Sequence, residues 1–394
     1  MPSKRWIIHE RPRRKLRDTG SQGKTAVAQP IVHSTDSQLP PNSVQNEHRS
    51  PASERRLPAI YHCVNRVVDR RFIFGDREKD KFVEMMRMYE AFTGIRILAH
   101  CIMSNHFHLM VEITPPPPNG LEDEELLNRL ATIYDEATVE SIALELQEAR
   151  AAIENGRANA SRLMSIHERY TYRMHDLSEF MKSLVQRFTQ WYNRRNERKG
   201  NLWEDAFRSV VVAPGAASRL VAAYIDLNPV RAGIVEDPAD YPWSSYGEAM
   251  FRGKNSRPKM ASTTSAAARA GLVRAFFAHE NGCTDAKRWN EMHEIYRPWL
   301  EDAMALVRAR ISKAANHATL IKENSPGAAL VVRIRHFTEG VAIGNRQFIN
   351  SFFHQHRERF GPKRSQGARP IRGHAAAVAK QQEICAIRDL QKNP

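Results

Sequence analysis

The octapeptide HFHLMVEI at residues 106–113 constrains the fold of this chain more than any other feature, because its side chains alternate as they do in a strand with one face against a core. Alternation puts His106, His108, Met110 and Glu112 on one face and Phe107, Leu109, Val111 and Ile113 on the other. The apolar stretch 95–103 precedes it, and Ser104-Asn105 between them predicts a hairpin turn. Four consecutive prolines at 115–118 stop the second strand, since proline has no N–H to give to a ladder. Upstream, residues 59–66 predict another strand. Residues 76–92 predict a helix that buries Phe82, Val83, Met86 and Tyr89 and stops at Gly94.

Beyond the prolines, residues 115–157 hold 10 acidic and 3 basic side chains, and the pattern is helical over 121–155 with a continuation to about 174. Asp176 is then placed to cap a long amphipathic helix whose buried stripe is Leu177, Phe180, Met181, Leu184, Val185, Phe188 and Trp191. Its other positions include Lys182, Arg187, Arg194, Arg195, Arg198 and Lys199, up to a stop at Gly200. Residues 206–213 predict a strand and 216–227 a second, shorter helix ended by Pro229. The order strand, helix, strand, strand, helix, strand, helix predicts an α+β fold, an antiparallel sheet with helices on one side.

Charge narrows the partner. The 394 residues carry 59 Lys and Arg against 44 Asp and Glu, a net +15 that points to a polyanion. Residues 1–57 contain 11 basic and 5 acidic groups without hydrophobic periodicity, and read as a basic, disordered arm. Residues 331–394 contain 12 and 4, and include Phe348, Ile349, Phe352 and Phe353 at helical spacing after Gly344-Asn345. Stretches 267–279 and 285–315 also read as helical, so the region beyond 250 is expected to be a helical, basic extension able to bind a polyanion. No apolar run approaches the roughly 18 residues of a membrane span, and the first 16 residues have no signal-like stretch. Cys63, Cys101, Cys283 and Cys385 form no CxxC pair. A cytoplasmic protein without structural zinc is expected.

Two constellations carry chemistry. His106 and His108, two residues apart on one face of a strand, are able to converge on one cation. With 16 histidines, however, chance alone supplies about one such triplet, and His354-Gln355-His356 is a second. Tyr224 and Asn228 share a helix face at i, i+4. A tyrosine among Leu220, Val221 and Leu227 is by default a core residue, and a phenol is a weak nucleophile without a nearby positive field.

The combination of four blocks changes that balance. Met103-Ser-Asn-His-Phe-His-Leu-Met-Val111, Asn201-Leu-Trp-Glu-Asp-Ala-Phe-Arg-Ser209, Tyr224-Ile-Asp-Leu-Asn-Pro-Val-Arg-Ala-Gly233 and Asp240-Tyr-Pro-Trp-Ser-Ser-Tyr246 occur in order over about half the chain. Together they closely resemble the single-tyrosine HUH transposases, nearest the REP-associated tyrosine transposases. The resemblance implies a ferredoxin-like antiparallel sheet of HUH endonuclease type spanning 58–250; the acidic helical insertion at about 115–175 and the helical, basic extension 251–394 depart from the minimal unit, and their roles do not follow from it. By motif position it implies Tyr224 as nucleophile and His106, His108 and Asn228 as ligands of Mg²⁺ or Mn²⁺. It implies nicking and rejoining of hairpin-forming, REP-like single-stranded DNA through a 5′-phosphotyrosine, by a monomer or a homodimer. Arg187, Arg194, Arg195, Arg198, Lys199 and Arg208 are the expected DNA contacts. Trp203 and Phe207 are read as either stacking or core residues. The competing expectation is a domesticated hairpin-binding protein or regulator without turnover. One departure is Ser104, where many relatives have proline, a change that a turn tolerates.

Overall fold

The computed structural model describes residues 59–251, 261–277, 288–311, 335–371 and 384–388. The basic arm 1–57 and Cys283 lie outside the described residues. The chain runs β1 (Ala59–Arg66), α1 (Asp76–Thr93), β2 (Arg96–Ile102), β3 (His106–Ile113), α2 (Asp123–Leu130), α3 (Glu136–Glu154), α4 (Ala160–Thr171), α5 (Leu177–Arg195) and β4 (Arg208–Val212). It continues with α6 (Ala216–Asp226), α7 (Asn228–Arg231), α8 (Ser245–Met250), α9 (Ala261–Phe277) and α10 (Trp289–Ile311). The last elements are α11 (Arg335–Glu339), β5 (Ala342–Asn345), α12 (Arg346–Gln355), β6 (Arg369–Pro370) and β7 (Ile384–Ile387).

Among the described residues the strands form one sheet in the order β2-β3-β1-β4-β5-β7-β6. Its first four strands are antiparallel, and with α1 and α5 as crossovers they make the expected ferredoxin-like α+β unit. The β2–β3 turn closes at Ser104-Asn105, where Met103 N–H donates to His106 O at 2.8 Å. α1 stops at Gly94, whose φ of 70° is a left-handed conformation that glycine adopts without a Cβ clash. The Asp176 carboxylate caps α5 by accepting from Glu179 N–H at 3.0 Å.

The two faces of the sheet have different covers. α1 and α5 pack on the Phe107 face, where Phe82 lies 4.6 Å from Phe107 and 5.2 Å from Phe188 between ring centroids. Trp203 is buried in this cluster with its indole N–H on Thr189 Oγ1 at 2.8 Å, and Phe207 is buried too, so both are core residues. α6 and α9 cover the opposite, histidine face, while Trp243 and Ser244 ahead of α8 pair with the free edge of β2. Glu112, buried on that face, accepts from Arg274 of α9 at 2.7 Å and from Arg96 at 2.9 Å. The acidic insertion is three helices: Asp123 at the start of α2 takes Arg150 of α3 and has His167 Nε2 of α4 at 2.7 Å.

Three expectations need correction, the first being helices on one side of the sheet: α1 and α5 pack on one face and α6 and α9 on the other. The extension is not helical throughout, because β5, β7 and β6 lengthen the sheet from β4 outward. β5 and β7 have four residues each and β5's partner β4 is about 130 residues earlier, so neither shows a local alternation long enough to read. The long basic helix ends at Arg195, not Lys199. Glu197 (φ 50°) and Gly200 (φ 89°) turn the chain, and Arg198 is held by Asn193 Oδ1 at 3.1 Å and Asn201 O at 2.8 Å. Cys63, Cys101 and Cys385 are buried and form no disulfide among the described residues. Among the described residues no helix is long and apolar enough to cross a membrane.

Candidate active site

β-Sheet register gathers the site. Val64 of β1 pairs with both His108 of β3 and Arg208 of β4, and Arg66 pairs with His106, so all five side chains share one face. His62 pairs with Met110, one step diagonal to His108, and its imidazole crosses that gap: Nε2 lies 3.0 Å from His108 Nδ1 with the rings stacked at 5.2 Å. α6 passes over this face and brings the Tyr224 ring to 5.7 Å from His108 and 5.9 Å from His62. The tyrosine thus meets the histidines of its own chain.

Hydrogen bonds fix which nitrogen of each ring is bare. Phe337 O, 2.7 Å from His62 Nδ1, only accepts, so His62 carries its proton on Nδ1 and offers a lone pair at Nε2. His108 must then donate from Nδ1, and its Nε2 keeps a lone pair. At His106 the Asn105 amide nitrogen is committed to Arg70 O at 3.0 Å, so Asn105 Oδ1 accepts from His106 Nδ1–H at 2.7 Å. His106 and His108 therefore both present unprotonated Nε2 atoms. Their rings lie 5.1 Å apart at 80°.

Electrostatics keeps them neutral. Burial, then the Arg66 charge, lowers His106 to about 4, and burial lowers His62 to about 4 against its bond to Phe337. His108 lies well below the ordinary histidine range, first through burial and then through His106, His62, Arg231 and Arg66. Neutral imidazole is the metal-binding form. Asn228 is the third candidate ligand. Its Nδ2 donates to Tyr224 O at 3.1 Å and Ile225 O at 3.2 Å, which turns Nδ2 to the helix and leaves Oδ1 as the acceptor. Among the described residues no group of three His, Cys, Asp or Glu is placed to hold a metal. His106 and His108 stand side by side on β3 and Asn228 begins α7, and imidazole and amide donors suit borderline and harder cations respectively.

Tyr224 is closed in. It is 2% exposed, with Phe337 of α11 stacked on it at 4.6 Å and 24° and the Arg231 guanidinium 4.8 Å from its ring centre. Burial raises its pKa, and Arg231, by charge and hydrogen bond, opposes that rise.

Of the expected DNA contacts, Arg187, Arg194, Arg195, Lys199 and Arg208 are exposed, while Arg198 is tied to the chain as described above. Arg208 stands on the histidine face. α5 packs on the other face, and the segment that follows it reaches the sheet end that carries His106, where Trp203 bridges Val67 and Glu204 N–H donates to Arg66 O at 2.8 Å. His62 and Phe337 are the site residues that sequence spacing misses. His62 is 46 residues from His108 and Phe337 a further 229 away, so only strand pairing and the packing of α11 bring them in.

Comparison with known proteins follows this geometry. Residues 58–118 match the family model described as IS200-like transposase, a stretch that includes His106 and His108 and ends before Tyr224. A solved structure of a REP-associated tyrosine transposase bound to a REP hairpin aligns with 14% identity over 52% of this chain and 88% of that one, at a TM-score of 0.30. No curated protein matches. The similarity to the IS200-like transposases thus falls on residues 58–118, the segment that builds the histidine strand.

Proposed function

We propose that the protein is a transposase that nicks and rejoins hairpin-associated single-stranded DNA with Tyr224 as nucleophile. The observation that carries this reading is the placement of the Tyr224 ring against His108 and His62 within one chain. The phenol oxygen attacks a backbone phosphorus, the bond to the 3′ oxygen breaks, and the products are a 5′-phosphotyrosyl strand and a free 3′-OH. A second 3′-OH attacking the same phosphorus releases the tyrosine, so strand transfer needs no ATP. Arg231 beside the ring favours the phenolate, and Arg66 adds positive potential at the same sheet end.

His106 and His108 through Nε2, and Asn228 through Oδ1, are the groups that would hold Mg²⁺ or Mn²⁺. Such an ion supplies charge neutralisation at the non-bridging phosphate oxygens. His62 acts behind them by fixing the His108 tautomer. His62→Phe keeps a ring but removes the acceptor, and Mn²⁺ affinity followed by electron paramagnetic resonance is expected to fall about 10- to 100-fold. Unchanged affinity would remove His62 from this role. Arg194, Arg195, Lys199 and Arg208 are the proposed phosphate contacts, and exposed basic residues of the extension are proposed to add to them.

One observation favours a second reading, binding of DNA hairpins without turnover: Phe337 covers the nucleophile. If the protein is an enzyme, Phe337→Ala should raise the single-turnover cleavage rate by up to about tenfold, the factor that an aromatic pair of about 1.4 kcal/mol would impose on opening. The test of the whole reading is incubation with end-labelled single-stranded hairpin DNA and Mn²⁺ or Mg²⁺, with and without chelator. Metal-dependent cleavage with a covalent adduct on a denaturing gel supports the enzyme. Tight binding with no product from either wild type or Phe337→Ala supports the binding protein.

A further inference from the structure

The loop between β1 and α1 presents Phe72 to solvent. At 81% it is the most exposed large hydrophobic side chain among the described residues, and Arg70 and Arg71 beside it are exposed as well. Exposure here does not come from a slack backbone. Val67 N–H donates to Asn105 O at 2.9 Å, Val68 N–H to Leu202 O at 3.0 Å and Phe74 N–H to Ser104 O at 3.0 Å, so both flanks are fastened to the sheet. Phe74 is buried against Phe188 with ring centroids 5.1 Å apart. Asp69 and Arg70 hold φ of 56° and 55°, a left-handed conformation that costs any residue with a Cβ and persists only where its surroundings impose it.

The loop is also joined to the catalytic strand. A single side chain, Asn105, donates to Arg70 O at 3.0 Å and accepts from His106 Nδ1 at 2.7 Å. Arg66 and Arg208 lie on the histidine face at the same end of the sheet. An outward aromatic ring flanked by guanidinium groups is the arrangement that binds unpaired nucleotides, the ring stacking on a base and the cations meeting its phosphates. One ring covers roughly 150–250 Å², far short of the roughly 1,200 Å² of a stable protein interface, so a protein partner is the poorer fit.

We propose that this loop is a nucleotide platform: Phe72 stacks on one unpaired base of the substrate strand, Arg70 and Arg71 bind the adjoining phosphates, and Asn105 sets the distance from that base to His106. The proposal rests on the reading of the protein as a single-stranded DNA transposase and adds a subsite to it. It predicts that one nucleotide position, a fixed number of phosphates from the scissile bond, is held by stacking.

The test uses the full chain and hairpin oligonucleotides with a single-stranded flank in which 2-aminopurine is moved one position at a time. Wild type should quench fluorescence at one position. Phe72→Ala should abolish that quenching and weaken binding about 5- to 150-fold, the range for losing one stacked base, while Phe72→Trp restores both. Arg70→Gln and Arg71→Gln should each flatten the salt dependence of binding by about 0.7 in log–log slope. The ring is exposed, so the thermal melt of Phe72→Ala should match wild type. Wild-type affinity and quenching retained in Phe72→Ala would overturn the platform and leave the transposase reading standing. Failure of the wild-type protein to bind any hairpin strand would overturn both.

Discussion

Tyr224→Phe is expected to lower single-turnover cleavage of hairpin DNA by at least about 10³-fold, the scale on which loss of a nucleophile acts. Only one oxygen is removed. The ring keeps its stack on Phe337 and its edge contacts with His62 and His108, so the fold should lose no more than about 1 kcal/mol, the worth of the hydrogen bond to Arg231. Hairpin affinity should therefore persist, which separates chemistry from binding. A variant that cleaves at the wild-type rate would mean that another nucleophile, such as water, attacks the phosphate.

Glu112→Ala is expected to destabilise the protein by about 3 kcal/mol. The carboxylate is 1% exposed and accepts from both the Nε and Nη2 of Arg274, whose side chain is only 12% exposed. Removing the acid leaves that guanidinium buried and uncompensated, the costly way to break an ion pair. Arg96, 39% exposed, keeps its hydration and adds little to the loss. Replacing both partners by methionine should cost much less, because no charge is then stranded. Urea denaturation of the two variants distinguishes these cases, and a loss under 1 kcal/mol for Glu112→Ala would contradict the account. The consequence is functional as well. Glu112 sits on β3 four residues after His108, so this pair clamps α9 of the extension onto the strand that carries the histidines.

The α+β unit is legible in the sequence to the extent that its signals are local. Alternation in residues 106–113, the Ser104-Asn105 turn and the Asp176 cap each depend on neighbours within a few positions, and each has its expected structure. The succession of elements gives an α+β antiparallel sheet, and its ferredoxin-like strand order is what the family resemblance implies. What escaped is long-range. His62 looks like any histidine in a short strand until register sets it diagonal to His108, and β5 and β7 are too short to announce themselves. The sequence pattern extends the α5 basic face by one turn because Arg198 and Lys199 continue the charge pattern after the helix has ended. Phe337 lies in a five-residue helix whose position over Tyr224 depends on the packing of the whole extension.

The central claim is that the Tyr224 oxygen becomes bonded to DNA. Wild-type protein incubated with a single-stranded hairpin and Mn²⁺, then digested and mapped by mass spectrometry, should yield the Tyr224 peptide carrying a nucleotide through its 5′ phosphate. Cleaved DNA with that peptide unmodified, or with the nucleotide on a different residue, would contradict the account.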